Sequence, residues 1–176
     1  MNETLKILKE RRSVRRYEAR PVEREKLDAI LEAGKYAPSA KGQQSVTMVV
    51  LTKREDIAEL SALNAAVMGT SSDPFFGAPC VVVVLADPEA TSAANAQRDG
   101  SLVMGNLMNA AWSLGVASCW INRAEEVFAE LQGKALLRRW GLPERLMGVG
   151  NCILGYAAGE IPAPKPRKTD FVKFVD

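Results

Sequence analysis

Cys80-Val81-Val82-Val83-Val84-Leu85-Ala86 is an unbroken apolar run. A strand with one wet face alternates apolar and polar residues; a strand without alternation is covered on both faces. The run therefore predicts a central strand sandwiched between two layers, ended by Asp87-Pro88. Downstream, residues 95 to about 114 carry Leu102, Val103, Leu107, Ala110, Ala111 and Leu114, a surface too broad for a single contact, so a helix buried on several sides is expected. Gly115 stands where a helix-terminating glycine belongs. Val116–Ile121 reads as another strand. Glu125 to about Trp140 reads as helical with a break near Gly133, closed by Gly141-Leu142-Pro143. Met147–Tyr156 is a further strand, and its Gly148, Gly150 and Gly155 predict bends or the close approach of another group.

Upstream, Val46–Leu51 reads as a buried strand. Thr52-Lys53-Arg54-Glu55 has the capping-box pattern and opens a helix bearing Ile57, Leu60 and Leu63. Residues 69–79 form a loop in which Phe75 and Phe76 are either a core plug or a pocket rim. At the N-terminus, residues 3–11 form a short amphipathic helix carrying Leu5 and Leu8. Pro21-Val22-Glu23 opens the next helix. Its stripe of Leu27, Ile30 and Leu31 continues on the small residues Ala33, Gly34 and Ala37, a face that another backbone can approach closely. Pro38 stops that helix, and residues 38–45 form a polar loop. The end of the chain differs: Ile161–Lys168 is proline-stiffened and extended. Asp170–Val175 then reads as one more strand, whose two phenylalanines and two valines need cover.

The 176 residues fit one domain with a sizeable core. The apolar share of 47% and charged share of 25% are those of a globular protein. A net charge of +2 argues against general nucleic-acid binding. No apolar run reaches the ~20 residues of a membrane span, and Met1-Asn2-Glu3-Thr4 has no signal-peptide pattern. A cytoplasmic location is expected. Cys80, Cys119 and Cys152 lie in apolar runs and read as buried thiols. There is no histidine. That excludes Ser-His-Asp and Cys-His nucleophile systems and the usual zinc sites, and no metal is expected. Enzymatic chemistry would have to come from carboxylates, lysine or a bound cofactor.

Against that near-neutral background stands Arg11-Arg12-Ser13-Val14-Arg15-Arg16-Tyr17, with four arginines in six residues. Guanidiniums packed so closely repel one another unless an anion neutralises them. Their planar donor forks match a phosphate or carboxylate bidentately. The motif asks for an anionic partner, or else is a solvated basic turn.

In order along the chain, Arg11-Arg12-Ser13-Val14-Arg15, Ala37-Pro38-Ser39 with Gln43, Gly105-Asn106-Leu107, Gly115-Val116-Ala117-Ser118-Cys119-Trp120-Ile121, Gly141-Leu142-Pro143 and Gly155-Tyr156 followed by Lys165-Pro166-Arg167 resemble the nitroreductase family of flavin mononucleotide (FMN) enzymes, in its compact branch. The resemblance implies an α+β fold with a central, mainly antiparallel sheet flanked by helices. It implies one domain over residues 1–176, an intertwined homodimer with FMN at the subunit interface, and an extension over 157–176 that docks on the partner subunit. Carried over by position, Arg11, Arg12 and Ser13 would hold the FMN phosphate and ribityl chain, with Arg167 and Lys165 closing from the tail. Arg15 would face the pyrimidine edge. Pro38, Ser39, Ala40 and the position of Gly42 belong to the loop that reaches FMN from the other subunit. Ile121 and Asn122 would lie against the central ring, and Asn64 is a candidate pyrimidine contact. The implied reaction is ping-pong hydride transfer from NADH or NADPH to a small-molecule electron acceptor such as a nitroaromatic or quinone. FMN is the reactive group, and no side chain is assigned as catalytic.

Two positions depart from the family pattern. Gly42 stands where an amide side chain is usual, and Ser45 where an aromatic is. Asn122-Arg123 also lacks the acid that some members carry after this strand. Two other functions fit parts of the sequence: a same-fold flavoprotein with flavin-fragmenting or dehalogenating chemistry, for which no long lid insertion is present, and a non-enzymatic anion-binding module.

Overall fold

The computed structural model describes residues 2–175. Its elements run α1 (Glu3–Glu10), α2 (Arg24–Lys35), a 3-10 turn (Ala40–Gly42), β1 (Val46–Leu51), α3 (Arg54–Met68), β2 (Cys80–Ala86), α4 (Ala93–Ser113), β3 (Ala117–Ile121), α5 (Ala124–Ala129), α6 (Leu131–Arg139) and β4 (Met147–Gly155). The sheet order is β1-β2-β4-β3, and every neighbouring pair is antiparallel.

β2 is buried at every residue, as its unbroken apolar run predicts. Its side chains divide by parity. Val81, Val83 and Leu85 join a core with Leu60, Phe75, Phe128 and Leu137, beneath α3, α5 and α6. Cys80, Val82, Val84 and Ala86 join a second core with Ile30, Val103, Met104 and Leu107, beneath α2 and α4. Each fully buried valine or leucine stabilises the fold by about 1.5–3 kcal/mol, so the strand secures both layers at once.

The small face of α2 does what its residues predict. A Cβ on Gly34 would lie 2.9 Å from Leu107 Cδ2 and 3.1 Å from Met48 Sδ, so α4 crosses α2 at that glycine. Asn106 secures the crossing by donating from Nδ2 to the Ala33 carbonyl at 2.9 Å. The glycines of β4 mark close approaches. A Cβ on Gly148 would fall 2.1 Å from the Ala124 carbonyl oxygen, and one on Gly150 would fall 2.4 Å from Trp120 Nε1. Gly115 takes a φ of 71°, and the Val116 amide returns to the Ala111 carbonyl at 2.9 Å to close α4. Phe75 is fully buried as a core plug, while Phe76 is 38% exposed.

Two expectations are corrected. Thr52 does not cap α3: Ile57 N–H bonds to the Lys53 carbonyl, which makes Lys53 the cap residue, with no side-chain capping bond. The α5–α6 break falls at the extended residue Glu130, not at Gly133. Gly133 serves a different purpose, since a Cβ there would sit 2.0 Å from the Val127 carbonyl oxygen; α6 can fold back on α5 only over a bare backbone. The Asp170–Val175 segment is expected to dock on a partner subunit, and within this chain its described residues pair with no sheet edge. Phe171 and Phe174 are 71% and 85% exposed.

Candidate functional site

The arginine segment is built onto the edge of the sheet. Ser13 forms a parallel bridge with Ser118, and Val14 N–H donates to the Ser118 carbonyl at 3.0 Å. Buried Val14 anchors this extended stretch in the core. Tyr17 then bridges Ala157, and its hydroxyl donates to the Val14 carbonyl at 2.8 Å. Alternation along an extended chain does the rest: with Val14 turned inward, Ser13 and Arg15 flank it on the other face.

The charges here stand apart from the other arginines of the chain. Arg20, Arg24, Arg123, Arg138, Arg139 and Arg145 each pair with a carboxylate. Among the described residues, Arg11, Arg12, Arg15 and Arg16 form no such pair. Arg12 Nη1 donates to the carbonyls of Lys9 (2.9 Å) and Arg11 (2.6 Å) at the end of α1, where the helix dipole favours a cation. That leaves Arg12 Nε, Arg11 Nη1 and Ser118 Oγ buried without a hydrogen-bond partner. An unmet buried polar group costs about 1–3 kcal/mol. Three of them beside an uncompensated cationic cluster fit an anion with several acceptor oxygens, and a phosphate meets that description.

From Ser118 the edge strand β3 leads to Ile121 and Asn122 in three to four residues, roughly 10 Å. Ile121 is buried, and Asn122 is exposed at the corner. Arg123 makes the turn in left-handed backbone, φ 79°, and its guanidinium is held by Glu126 at 2.7 Å. Between these ends lies Cys119. Burial raises its thiol pKa against the pull of Arg15, Ser13 and Arg11, so it stays a neutral thiol at neutral pH. A cavity of about 250 Å³ opens against the arginine segment. Ser13, Arg15 and Arg16 line one side and Ala157–Glu160 and Pro162 the other. The tail carrying Lys165 and Arg167 thus leaves the fold at the cluster, with both residues exposed.

The Pro38–Ser45 loop lies elsewhere. Register places it: Val46 pairs with Ala86 and Ala86 with Met147, at the start of β4, whereas the arginine segment meets β3 where Ala117 pairs with Gly155 at the end of β4. The loop and the cluster occupy diagonally opposite corners of the sheet, so one chain does not bring Pro38, Ser39, Ala40 and Gly42 to Arg11–Arg15.

Asn64 joins neither group. It is fully buried, donating to the Leu60 carbonyl at 2.9 Å and accepting from Asn151 Nδ2 at 3.1 Å. Its amide makes a core polar contact, away from the surface of this chain. Sequence reasoning missed two groups. Ser118 hides in a strand that reads as apolar. Asp99 is a lone acid inside an apolar helix, the one signal that could have singled it out. A larger cavity, about 620 Å³, lies between α3, the 71–79 loop and the Ala19–Pro21 stretch that follows the arginine segment, lined mainly by alanines, prolines and hydroxyls.

The pattern of the Nitroreductase family matches residues 8–156. The chain belongs to the nitroreductase family. A protein of Archaeoglobus fulgidus named for NADH dehydrogenase/NAD(P)H nitroreductase activity is 32% identical over 162 residues, covering 91% of this chain and 88% of the relative. An FMN reductase [NAD(P)H] of Bacillus subtilis is 28% identical over 181 residues, covering 95% and 70%. A nitroreductase of Bacteroides fragilis, solved with bound FMN, superposes with a TM-score of 0.91 at 30% identity, over 100% of both chains. The nitroreductase fold expected from the sequence is therefore present, with its antiparallel sheet and flanking helices. Among the described residues of this family member, no helix is long and apolar enough to cross a membrane, and no group of side chains could hold a metal ion.

Proposed function

We propose that this nitroreductase-family protein is an FMN-dependent oxidoreductase that uses NADH or NADPH to reduce a small-molecule acceptor of the nitroaromatic or quinone class. The observation that carries the reading is the set of unmet buried polar atoms, Arg11 Nη1, Arg12 Nε and Ser118 Oγ, beside arginines that form no ion pair among the described residues. Arg11, Arg12, Ser13 and Ser118 hold the phosphate, and Lys165 and Arg167 add charge from the tail. Bound there, FMN supplies hydride exchange in two ping-pong half-reactions, one with the nicotinamide donor and one with the acceptor. Arg15 is a fixed cation at the pyrimidine edge and stabilises the negative charge that reduction places there. Ile121 and Asn122 would form the wall against the ring and could offer it a backbone N–H.

The opposed corners of the sheet support a homodimer. If the Pro38–Gly42 loop and the arginine segment serve one flavin, two chains must supply them. The exposed apolar residues support the same arrangement: Leu5 and Leu8 of α1, Leu102 of α4, and the Phe171–Val175 tail all lack cover in one chain. Truncation after Glu160 should remove the tail's two phosphate contacts and its dimer contacts. The expected result is a monomer by light scattering with at least about tenfold weaker FMN binding, the size of one lost charge-assisted contact. A truncated protein that remains a flavin-loaded dimer would refute the tail's assignment.

The direct test is a visible absorption spectrum of the purified protein, taken without oxygen before and after addition of NADH or NADPH. A flavin spectrum that bleaches is expected. Protein that takes up no flavin after incubation with FMN would overturn the reading.

A further inference from the structure

We infer that Asp99 is a positioning residue for the flavin site of the partner subunit, an inference that rests on the FMN-dimer reading above. Asp99 sits on α4 with 4% of its surface exposed. Its Oδ1 accepts from the Ala40 amide at 2.8 Å, and its Oδ2 accepts from the Ser45 hydroxyl at 2.8 Å. One carboxylate thus clasps both ends of the loop assigned to the flavin. Among the described residues it has no cationic partner. Burying a charge that way is costly, and its buried helix neighbours Ala96, Gly100 and Val103 show that the site otherwise takes apolar groups.

The loop explains the cost. Lys41, Gly42 and Gln44 take φ values of 53°, 68° and 49°. Two of these are side-chain-bearing residues in left-handed backbone, each costing on the order of 1 kcal/mol or more. Such a loop relaxes unless something holds it. Asp99 provides the hold, and its own platform is rigid: a Cβ on Gly100 would meet Val149 Cγ2 at 2.5 Å, so α4 is seated directly on β4 at this turn. The clasp also offers a role for Ser45, since its hydroxyl reaches Asp99 and its carbonyl accepts from the Asp87 amide at 2.8 Å.

Because the loop lies at the corner of the sheet opposite its own arginine cluster, Asp99 acts across the dimer and not on the cradle of its own chain. Mixed dimers test this. Subunits carrying Asp99→Ala and Arg12→Ala are co-expressed with different affinity tags, and the mixed dimer is isolated through both tags and titrated with FMN. The Asp99→Ala homodimer should bind FMN at least about tenfold more weakly, the loss expected when two buried donors lose their acceptor. Asp99→Asn, whose amide can accept from Ala40 and donate to Ser45, should recover most of that loss. The mixed dimer should bind one FMN with wild-type affinity, because one site combines an intact cradle with an intact loop. A mixed dimer with no site of wild-type affinity would place the effect of Asp99 within its own chain and overturn the inference, as would an Asp99→Ala homodimer with wild-type affinity. If Asp99→Ala fails to fold, Ser45→Ala removes one of the two clasps and is paired with Arg12→Ala for the same readout. Wild-type protein that is monomeric or takes up no FMN would instead overturn the underlying reading, so the two failures are distinguishable.

Discussion

Gly148→Ala is expected to lower the melting temperature by about 6–12 °C and to weaken flavin binding at the same time. The added Cβ would sit 2.1 Å from the Ala124 carbonyl oxygen and 2.3 Å from its carbon. Both are backbone atoms that cannot rotate away. β4 cannot retreat, because Gly148 is paired with Leu85 in the centre of the sheet. α5 must therefore lift from the sheet, and α5 starts immediately after the Ile121-Asn122-Arg123 corner. Overpacking a core costs typically 1–3 kcal/mol; a clash with backbone belongs at the upper end. For a chain of this size about 2–4 °C accompanies each kcal/mol. Thermal unfolding with and without FMN checks both parts. A melting temperature within a degree of wild type would show that α5 yields freely, and that the corner is not held by this contact.

Arg12→Ala should weaken FMN binding by roughly 10- to 150-fold, the equivalent of about 1.5–3 kcal/mol for a lost charge-assisted hydrogen bond. The same change should leave the flavin-free protein no less stable, because it removes one of four crowded cations and the unmet donor at Nε. That divergence between affinity and stability distinguishes an anion site from a structural arginine. A structural arginine would lose stability through its bonds to Lys9 and Arg11 and leave affinity intact. Arg12→Lys keeps the charge without the planar fork and should recover only part of the affinity. Fluorescence titration with FMN, alongside melting curves of the flavin-free protein, decides the matter; unchanged affinity in Arg12→Ala would remove this residue from the cradle.

Much of the architecture was legible because it is written in consecutive residues. The unbroken run at Cys80–Ala86 implies cover on both faces. Gly115 stops α4 because only a residue without a Cβ takes left-handed backbone cheaply. Gly34 and Ala33 announce the helix that crosses them, and four arginines around Ser13 announce a local excess of positive charge. Each of these follows from a local period, a backbone preference or a local charge density.

Other features were not legible, for a common physical reason. Asn64 stands in the sequence as a candidate pyrimidine contact, and its bond to Asn151, 87 residues away in the core, could not be read there. The α5–α6 break moves to Glu130 because the requirement at Gly133 comes from contact with another helix and not from chain termination. Asp99 meets Ala40 and Ser45 across separations of 59 and 54 residues. The order β1-β2-β4-β3 sends the loop and the arginine cluster to opposite corners of the sheet. The sequence alone determined which segments are strands, which helices have two faces and where positive charge accumulates, since period and composition carry that information. Only the tertiary structure decided which distant groups share a hydrogen bond and which segments end at opposite corners of the sheet, because strand order and register are properties of the whole sheet.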